Sequence, residues 1–518
     1  MSLTTMSVTA RLHRRRGSTS ARPGQAGQRA LVLRPGVLAA GTALLVTLAV
    51  PAVAGGPGAP SAFGFTAPTY VSTVLGGGEP VLIATRQGTL VYSAHQGSTL
   101  MASGNLAGSP VGTADFAAND RNQVYLWTST DDGVSWQQVN WMGSGFSTNP
   151  ALNTGFSDPD LSLDTSGRLY ATGIDLANDA LFSSTDGGFS WPTGTVNCHD
   201  GDRPWLAGAK PGVVYLATDT VENALSHEVF VSTNGGASCA AAGIPDAGST
   251  AGGGSYLGQG QLRYDPTTGN VIEPVIYAGH SGAADAIGLG ILRPHATKFI
   301  DVVAARNTSL YAHWPGLAVD AAGNYYLVWD TDARGPAHST GGCGGSPDPR
   351  PNAVLMSVST DHGLRWSRPI VIAHPATRVL WPWVTAGRAG AVGIVWYEES
   401  ALVDPGCGSA DLYVFAARVL GATGAHPRLA VVDASGRPVH VGPICQSGTT
   451  CVVTGPDRRL GDYFTDAIDP HGCLIIATGD TMRTDPVTGA PLPTARPLFL
   501  RQDTGIGLTG QLCRPSGP

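Results

Sequence analysis

The chain has 518 residues, with 31 basic and 38 acidic side chains, and only 13% of it is charged. Seven Arg and no acid fall within the first 54 residues, so the remainder carries 24 bases against 38 acids, a net of −14. That balance argues against nucleic acid and anionic membrane as partners; 70 Gly and 37 Pro describe a chain of turns and strands with few long amphipathic helices.

In chain order, the Arg-rich residues 1–35 run into the apolar stretch Val37 to Val50 and then Ala52-Val53-Ala54. Basic, apolar, then A-x-A is the order of a secretory signal, so residues 1–54 are expected to be a leader cleaved after Ala54. The alternative is an uncleaved N-terminal membrane anchor, since Leu31 to Val50 approaches the length of a span, although Arg34 and Pro35 interrupt it. No second such segment follows, and the expected address is secreted, extracellular and soluble. Residues 55–75 are then a linker in which Phe65 to Thr73 could close a ring, and 76–518 the folded body. Roughly 460 residues exceed one ordinary core. Several domains or one closed repeat architecture is required.

The repeats favour the second. Ser129-Thr130-Asp131-Asp132-Gly133-Val134-Ser135-Trp136 returns as Ser184 to Trp191 and as Ser359 to Trp366, with a fourth copy, Ser232 to Cys239, that ends in Cys. Asp can accept hydrogen bonds from the backbone just ahead of it, Gly takes the positive φ of a tight turn, and Trp buries a large ring against the strands it joins. Each octet follows a short apolar run, the context of a hairpin. Between octets a second unit recurs seven times: a polar opening, an alternating strand, an Asp/Gly turn and a Val/Tyr/Leu-rich strand. Its openings are Gly78-Glu79-Pro80, Ser157-Asp158-Pro159-Asp160, Gly201-Asp202-Arg203-Pro204-Trp205, Gln259-Gly260-Gln261, His313-Trp314-Pro315, Trp381-Pro382-Trp383 and Gly461-Asp462-Tyr463-Phe464.

The octet, with its Ser-x-Asp-x-Gly-x-x-Trp spacing, resembles the Asp box, or BNR repeat, of sialidase-like β-propellers. The resemblance implies an all-β fold: a single ring of four-stranded blades, seven favoured by the count of openings and six as the alternative. It also implies that the box joins the third and fourth strands of a blade on its periphery, so that Asp131, Asp186 and Asp361 are structural. All eight Cys follow the leader, an even number that predicts disulfides in an exported chain. Nearest-neighbour pairing is expected: Cys198 with Cys239, Cys343 with Cys407, Cys445 with Cys451 and Cys473 with Cys513, although sequence does not fix connectivity. Cys239 stands where the box has Trp, so a link to Cys198 would anchor that hairpin covalently.

In a propeller the first strand of each blade starts at the mouth of the central channel. The openings therefore nominate Glu79, Asp202, Arg203, Trp205, Trp314, Trp381, Trp383, Asp462 and Tyr463 as ligand-binding residues, a mixture of acids, Arg and aromatics suited to sugar. The other reading of these residues is that Asp-Pro and Trp-Pro form turns and pack between blades. Enzymes that share the resemblance grip a carboxylate with three Arg, attack with Tyr and use Asp as acid/base. On that pattern Arg86, Arg203 and Arg263 would grip, Tyr463 would attack, and Asp158 or Asp160 would serve as the acid. The first blade, however, has Glu79-Pro80-Val81 where those enzymes carry Arg-Ile-Pro. The favoured function is accordingly a monomeric propeller that binds extracellular glycan or protein, with exo-sialidase-like glycoside hydrolysis as the alternative. No cofactor is expected, though Asp158, Asp160 or Asp202 could hold a structural calcium ion.

Overall fold

Each apolar run is followed at once by a turn, so the chain meanders and neighbouring strands pair antiparallel. The computed structural model describes residues 63–95, 124–139, 157–175, 178–199, 201–220, 227–243, 256–278, 284–306, 308, 314–331, 350–403, 406, 408–445 and 457–515. The expected leader, the Cys343–Cys407 and Cys445–Cys451 pairings and His313 lie wholly or partly outside them. The described strands form seven antiparallel sheets, each stepping outward in chain order. The fold is thus an all-β propeller of seven blades, and a six-bladed ring is excluded.

The first strands are Gly78–Ala84, Ser157–Leu163, Gly201–Gly208, the broken pair Tyr256–Gln259 and Arg263–Asp265, then Gly316–Val319, Val379–Ala386 and Thr465–Ile468. We number the blades 1 to 7 in that order. Polar bridges tie these strands to their neighbours. Leu206 N donates to Asp160 Oδ2 at 2.7 Å between blades 3 and 2, Gly208 N to Ser162 Oγ at 2.7 Å, and Leu82 N to Thr465 Oγ1 at 3.2 Å between blades 1 and 7. Blade 7 draws only three strands from the C-terminal part of the chain. Its outer edge comes from the opposite end: Gly64–Phe65 and Thr69–Tyr70 both pair antiparallel with Arg496–Thr504.

Two Asp-centred turns recur at the end of the ring where first strands finish. The inner one follows the first strand. In blade 2, Asp164 Oδ1 accepts Ser166 N at 2.8 Å and Arg168 N at 3.1 Å, while Oδ2 accepts Gly212 N of blade 3 at 2.7 Å. Asp320 does the same in blade 5, reaching Gly390 N of blade 6 at 2.9 Å. The outer turn is the octet, which joins the third and fourth strands of blades 1, 2, 3 and 5. Ser184 Oγ accepts Gly188 N at 3.0 Å, and Asp186 Oδ1 accepts Phe189 N and Ser190 N, each at 3.0 Å.

Trp191 is buried and donates Nε1 to Gly188 O at 3.0 Å. Trp136 and Trp366 are only half-buried at their blade edges. Trp136 meets Tyr92 and Phe499 edge-on at centroid distances of 5.7 and 5.4 Å, and the rest of its ring lies on the blade rim. In the fourth octet Cys239 bonds Cys198 across a Cα separation of 5.3 Å, joining the outer strand of blade 2, Thr193–His199, to blade 3. Cys473 and Cys513 form a second bridge, and Cys445 is also disulfide-bonded.

Candidate functional site at the channel mouth

Four first strands start with a residue before proline, and in each that residue is left-handed: Glu79 (φ 47°), Asp158 (53°), Arg203 (60°) and Trp381 (53°). At the same points the pairing register slips, between Gly78 and Val81, Ser157 and Asp160, Asp202 and Trp205, and Leu380 and Trp383. Positive φ is uncommon for residues with a Cβ, and a following proline favours extended backbone. Each such residue costs on the order of 1–3 kcal/mol. The bulge takes the side chain out of strand alternation, and at Glu79 and Asp158 the carboxylate accepts backbone N–H groups of other blades.

Glu79 is the hub. It is 1% exposed, and its carboxylate accepts Asp462 N of blade 7 at 2.9 Å, with Ser157 Oγ and Asp158 N of blade 2 at 3.2 Å. His95 Nε2 lies 3.0 Å from Oε2 and Arg458 Nη2 3.8 Å from Oε1. Burial opposes its charge, but the neighbouring His95 outweighs that and holds its pKa at about 2. Asp158 is the reverse case: burial, reinforced by Glu79 and Asp202, pushes it well above the usual carboxylate range. Its Oδ2 accepts Arg203 N at 3.2 Å. Asp462 is held by both terminal nitrogens of Arg458.

Arg203 heads a chain of charges that runs outward from the channel, across the strands of blade 3 to blade 4. Its Nη1 donates to Asp219 Oδ2 at 2.9 Å; Asp219 Oδ1 meets His227 Nδ1 at 2.8 Å, and His227 Nε2 meets Glu273 Oε1 at 2.5 Å. Burial disfavours the imidazolium, yet Glu273 and Asp219 raise His227 to about 9. The Arg203 guanidinium also lies 5.1 Å over the Trp314 ring.

Beneath this rim the channel is plugged. Trp205 packs against Trp314, Trp383 and Tyr463 at 5.7, 5.9 and 5.0 Å, and Trp383 stacks on Tyr463 at 5.9 Å. All four are buried. The aromatic candidates are thus occupied with one another, because the narrow axis of a closed ring is where large rings bury most area; Trp381 turns away to pack on Tyr397 at 5.6 Å. Tyr463 is no poised nucleophile: its hydroxyl donates to Pro159 O at 2.7 Å, and burial together with the charges of Glu79, Asp158, Asp160 and Asp462 drives its ionisation far up.

Asp160 and Arg263 lie outside the rim as well. Asp160 is fully buried and accepts Leu206 N, Leu161 N and Gln261 Nε2; burial lifts it to about 7. Arg263 sits in the channel beyond the plug. Among the described residues no group of three or more His, Cys, Asp or Glu that could hold a metal ion is found, and Asp158, Asp160 and Asp202 form none. The rim therefore consists of Glu79, Asp158, Asp202, Arg203 and Asp462, of which Asp202 is exposed and Asp158, Arg203 and Asp462 half-buried.

Sequence reasoning missed His95, Asp219, His227, Glu273, Arg458 and Arg459. Signals existed: Glu273 interrupts the apolar run Val271-Ile272-Glu273-Pro274-Val275, and Arg458-Arg459 is a doublet in a chain poor in charge. Arg459 closes on Asp457 and carries that segment against Leu492 O at 2.8 Å.

Fold and site together define a seven-bladed propeller with a charged channel mouth over an aromatic plug. No family model and no curated protein matches the chain. Among solved structures it is similar to a protein of unknown function from Dyadobacter fermentans, at 11% identity over 86% of this chain and 98% of that one, TM-score 0.41. It is similar to the intramolecular trans-sialidase from Ruminococcus gnavus, at 13% over 86% and 98%, TM-score 0.36. A third likeness is to YCF48 from Cyanidioschyzon merolae, at 12% over 84% and 98%, TM-score 0.40. The blade count rests on the chain's own sheet topology.

Proposed function

We propose that the chain is an exported, monomeric binding propeller that takes an extracellular glycan or protein at the charged mouth of its channel. The observation that carries this reading is the convergence of three strained charged residues, Glu79, Asp158 and Arg203, with Asp462 at one end of the ring. Strain retained at one spot in several blades is a physical reason to place function there. Half-buried carboxylates and one guanidinium offer acceptors and donors for hydroxyls, amides and amines. The disulfides support an oxidising compartment, in keeping with the leader-like residues 1–54, and no helix among the described residues is long and apolar enough to cross a membrane.

Sialidase-like hydrolysis is the weaker reading because Tyr463 is locked in the plug. The deciding experiment presents the protein with a panel of sialosides, other glycosides and extracellular proteins, recording binding and turnover in parallel. Saturable binding without turnover is expected, weakened about tenfold by Arg203→Ala if a charged hydrogen bond is lost. Binding indifferent to Arg203→Ala removes the ligand from the mouth; turnover of a sialoside that Tyr463→Phe abolishes makes the protein an enzyme.

A further inference from the structure

A second chamber lies in the same channel, on the far side of the plug from the mouth. Its volume is about 230 Å³, and the first strands of blades 1, 2, 4, 5, 6 and 7 line it. Trp383 bounds it toward the plug, and its lining continues to Ile83, Val319, Ala386 and Ala467 near the finishing ends of their strands. It is therefore approached from the turn end of the ring, and it is larger than one or two waters would fill.

The charged groups of this chamber leave each other unsatisfied. Among the described residues Arg263 donates only to neutral acceptors: Nε to Leu317 O at 2.8 Å, and Nη1 to Gln261 Oε1 and to Leu262 O at 3.2 Å. Asp466 stands three blades away, on the opposite wall, 6% exposed, and both of its carboxylate oxygens are buried without a hydrogen bond. A buried polar group left in that condition carries a desolvation cost that a hydrogen-bonding occupant would relieve.

We propose that this chamber binds a small carboxylate, held by the Arg263 guanidinium on one wall and by Asp466 on the other. Burial raises Asp466 well above the usual carboxylate range even with Arg263 acting on it, a direction that favours the acid form, whose O–H can donate. A cation with no charged partner in hydrogen-bond contact among the described residues suits an anion. The hydroxyls of Ser162 and Thr385 on the same lining favour a hydroxylated acid. This site is independent of the mouth and of what the mouth binds.

Calorimetry of the full chain against lactate, gluconate and glucuronate, with glucose and glycine as neutral and zwitterionic controls, tests it. The acids are expected to bind saturably and the controls not. Arg263→Gln should weaken the acids about tenfold or more by removing a charge-assisted pair. Asp466→Asn keeps a donor and should retain binding, whereas Asp466→Ala should lose it; thermal melts confirm that each variant is folded. Preference for glycine that Asp466→Asn destroys would mean that Asp466 acts as an anion, and overturns the proposal. Equal binding of glucose, or no saturable heat from any acid, overturns it too.

Discussion

The two ends of the ring are built on opposite terms. At the turn end each carboxylate is answered mainly by its own loop: Asp186 by Phe189 N and Ser190 N, Asp164 by Ser166 N and Arg168 N. At the mouth end the answers come from other blades: Glu79 from Ser157, Asp158 and Asp462, and Asp158 from Arg203. Local turns form wherever the spacing occurs and can be repeated, while the mouth exists only once the ring has closed. Repetition thus marks the scaffold, and departure from it marks the candidate site.

The largest expected effect breaks the turn end. Trp191→Ala removes a buried ring and should destabilise by about 3–5 kcal/mol, against clearly less for the half-buried Trp366→Ala; equal shifts in paired thermal melts would show that the two octets are not anchored differently. Next comes Cys239→Ser. The bridge closes a sequence separation of 41, for which loop entropy gives about 3–4 kcal/mol, and non-reducing peptide mapping should find Cys198 free in this variant alone. At the mouth end, Tyr463→Phe leaves Pro159 O buried without its donor and should cost about 1–3 kcal/mol. A neutral result in denaturant titration would contradict the locked geometry.

The smaller effects are pH-dependent and differ in sign between the ends. His227 is raised to about 9, so its contribution is complete below its unfolded pKa near 6.5 and is lost as pH rises through about 9. His227→Gln should flatten stability across that window, and a melting profile that keeps its slope refutes the relay. Asp186 is lowered, since the hydrogen bonds of its own turn outweigh burial. Its contribution is present above an unfolded pKa of about 4 and disappears as pH falls below that value. Asp186→Asn should therefore matter slightly at neutral pH and not at all in strong acid.

How much of this was legible in the sequence follows the same division. The octets announced a ring of blades because Ser, Asp, Gly and Trp act within eight residues, the openings gave the count of seven, and Cys239 in the place of Trp pointed to its bridge with Cys198. The openings were found, but what their aromatic residues do was not. Trp205, Trp314 and Trp383 look alike as sugar platforms or as packing until the ring sets them 5.7 to 5.9 Å apart. Glu273 and His227, 46 residues apart, gave no spacing to read. Left-handed φ before proline is equally silent, since nothing in Glu79-Pro80 or Trp381-Pro382 sets them apart from residues that proline keeps extended.

Blade 7 has a temporal consequence. Its outermost strands, Gly64–Phe65 and Thr69–Tyr70, precede every blade in the chain, and the strand they join, Arg496–Thr504, follows nearly all of them. During synthesis the first segment must wait, unpaired, for a partner more than 420 positions downstream to emerge. Six blades can assemble as hairpins as they appear, but the seam between the first and last of them cannot be sealed until the C-terminal strand arrives. The ring therefore matures in a single late step. Circular permutants that join the present ends and open the chain at another hairpin would move that step without altering a single native contact within the blades.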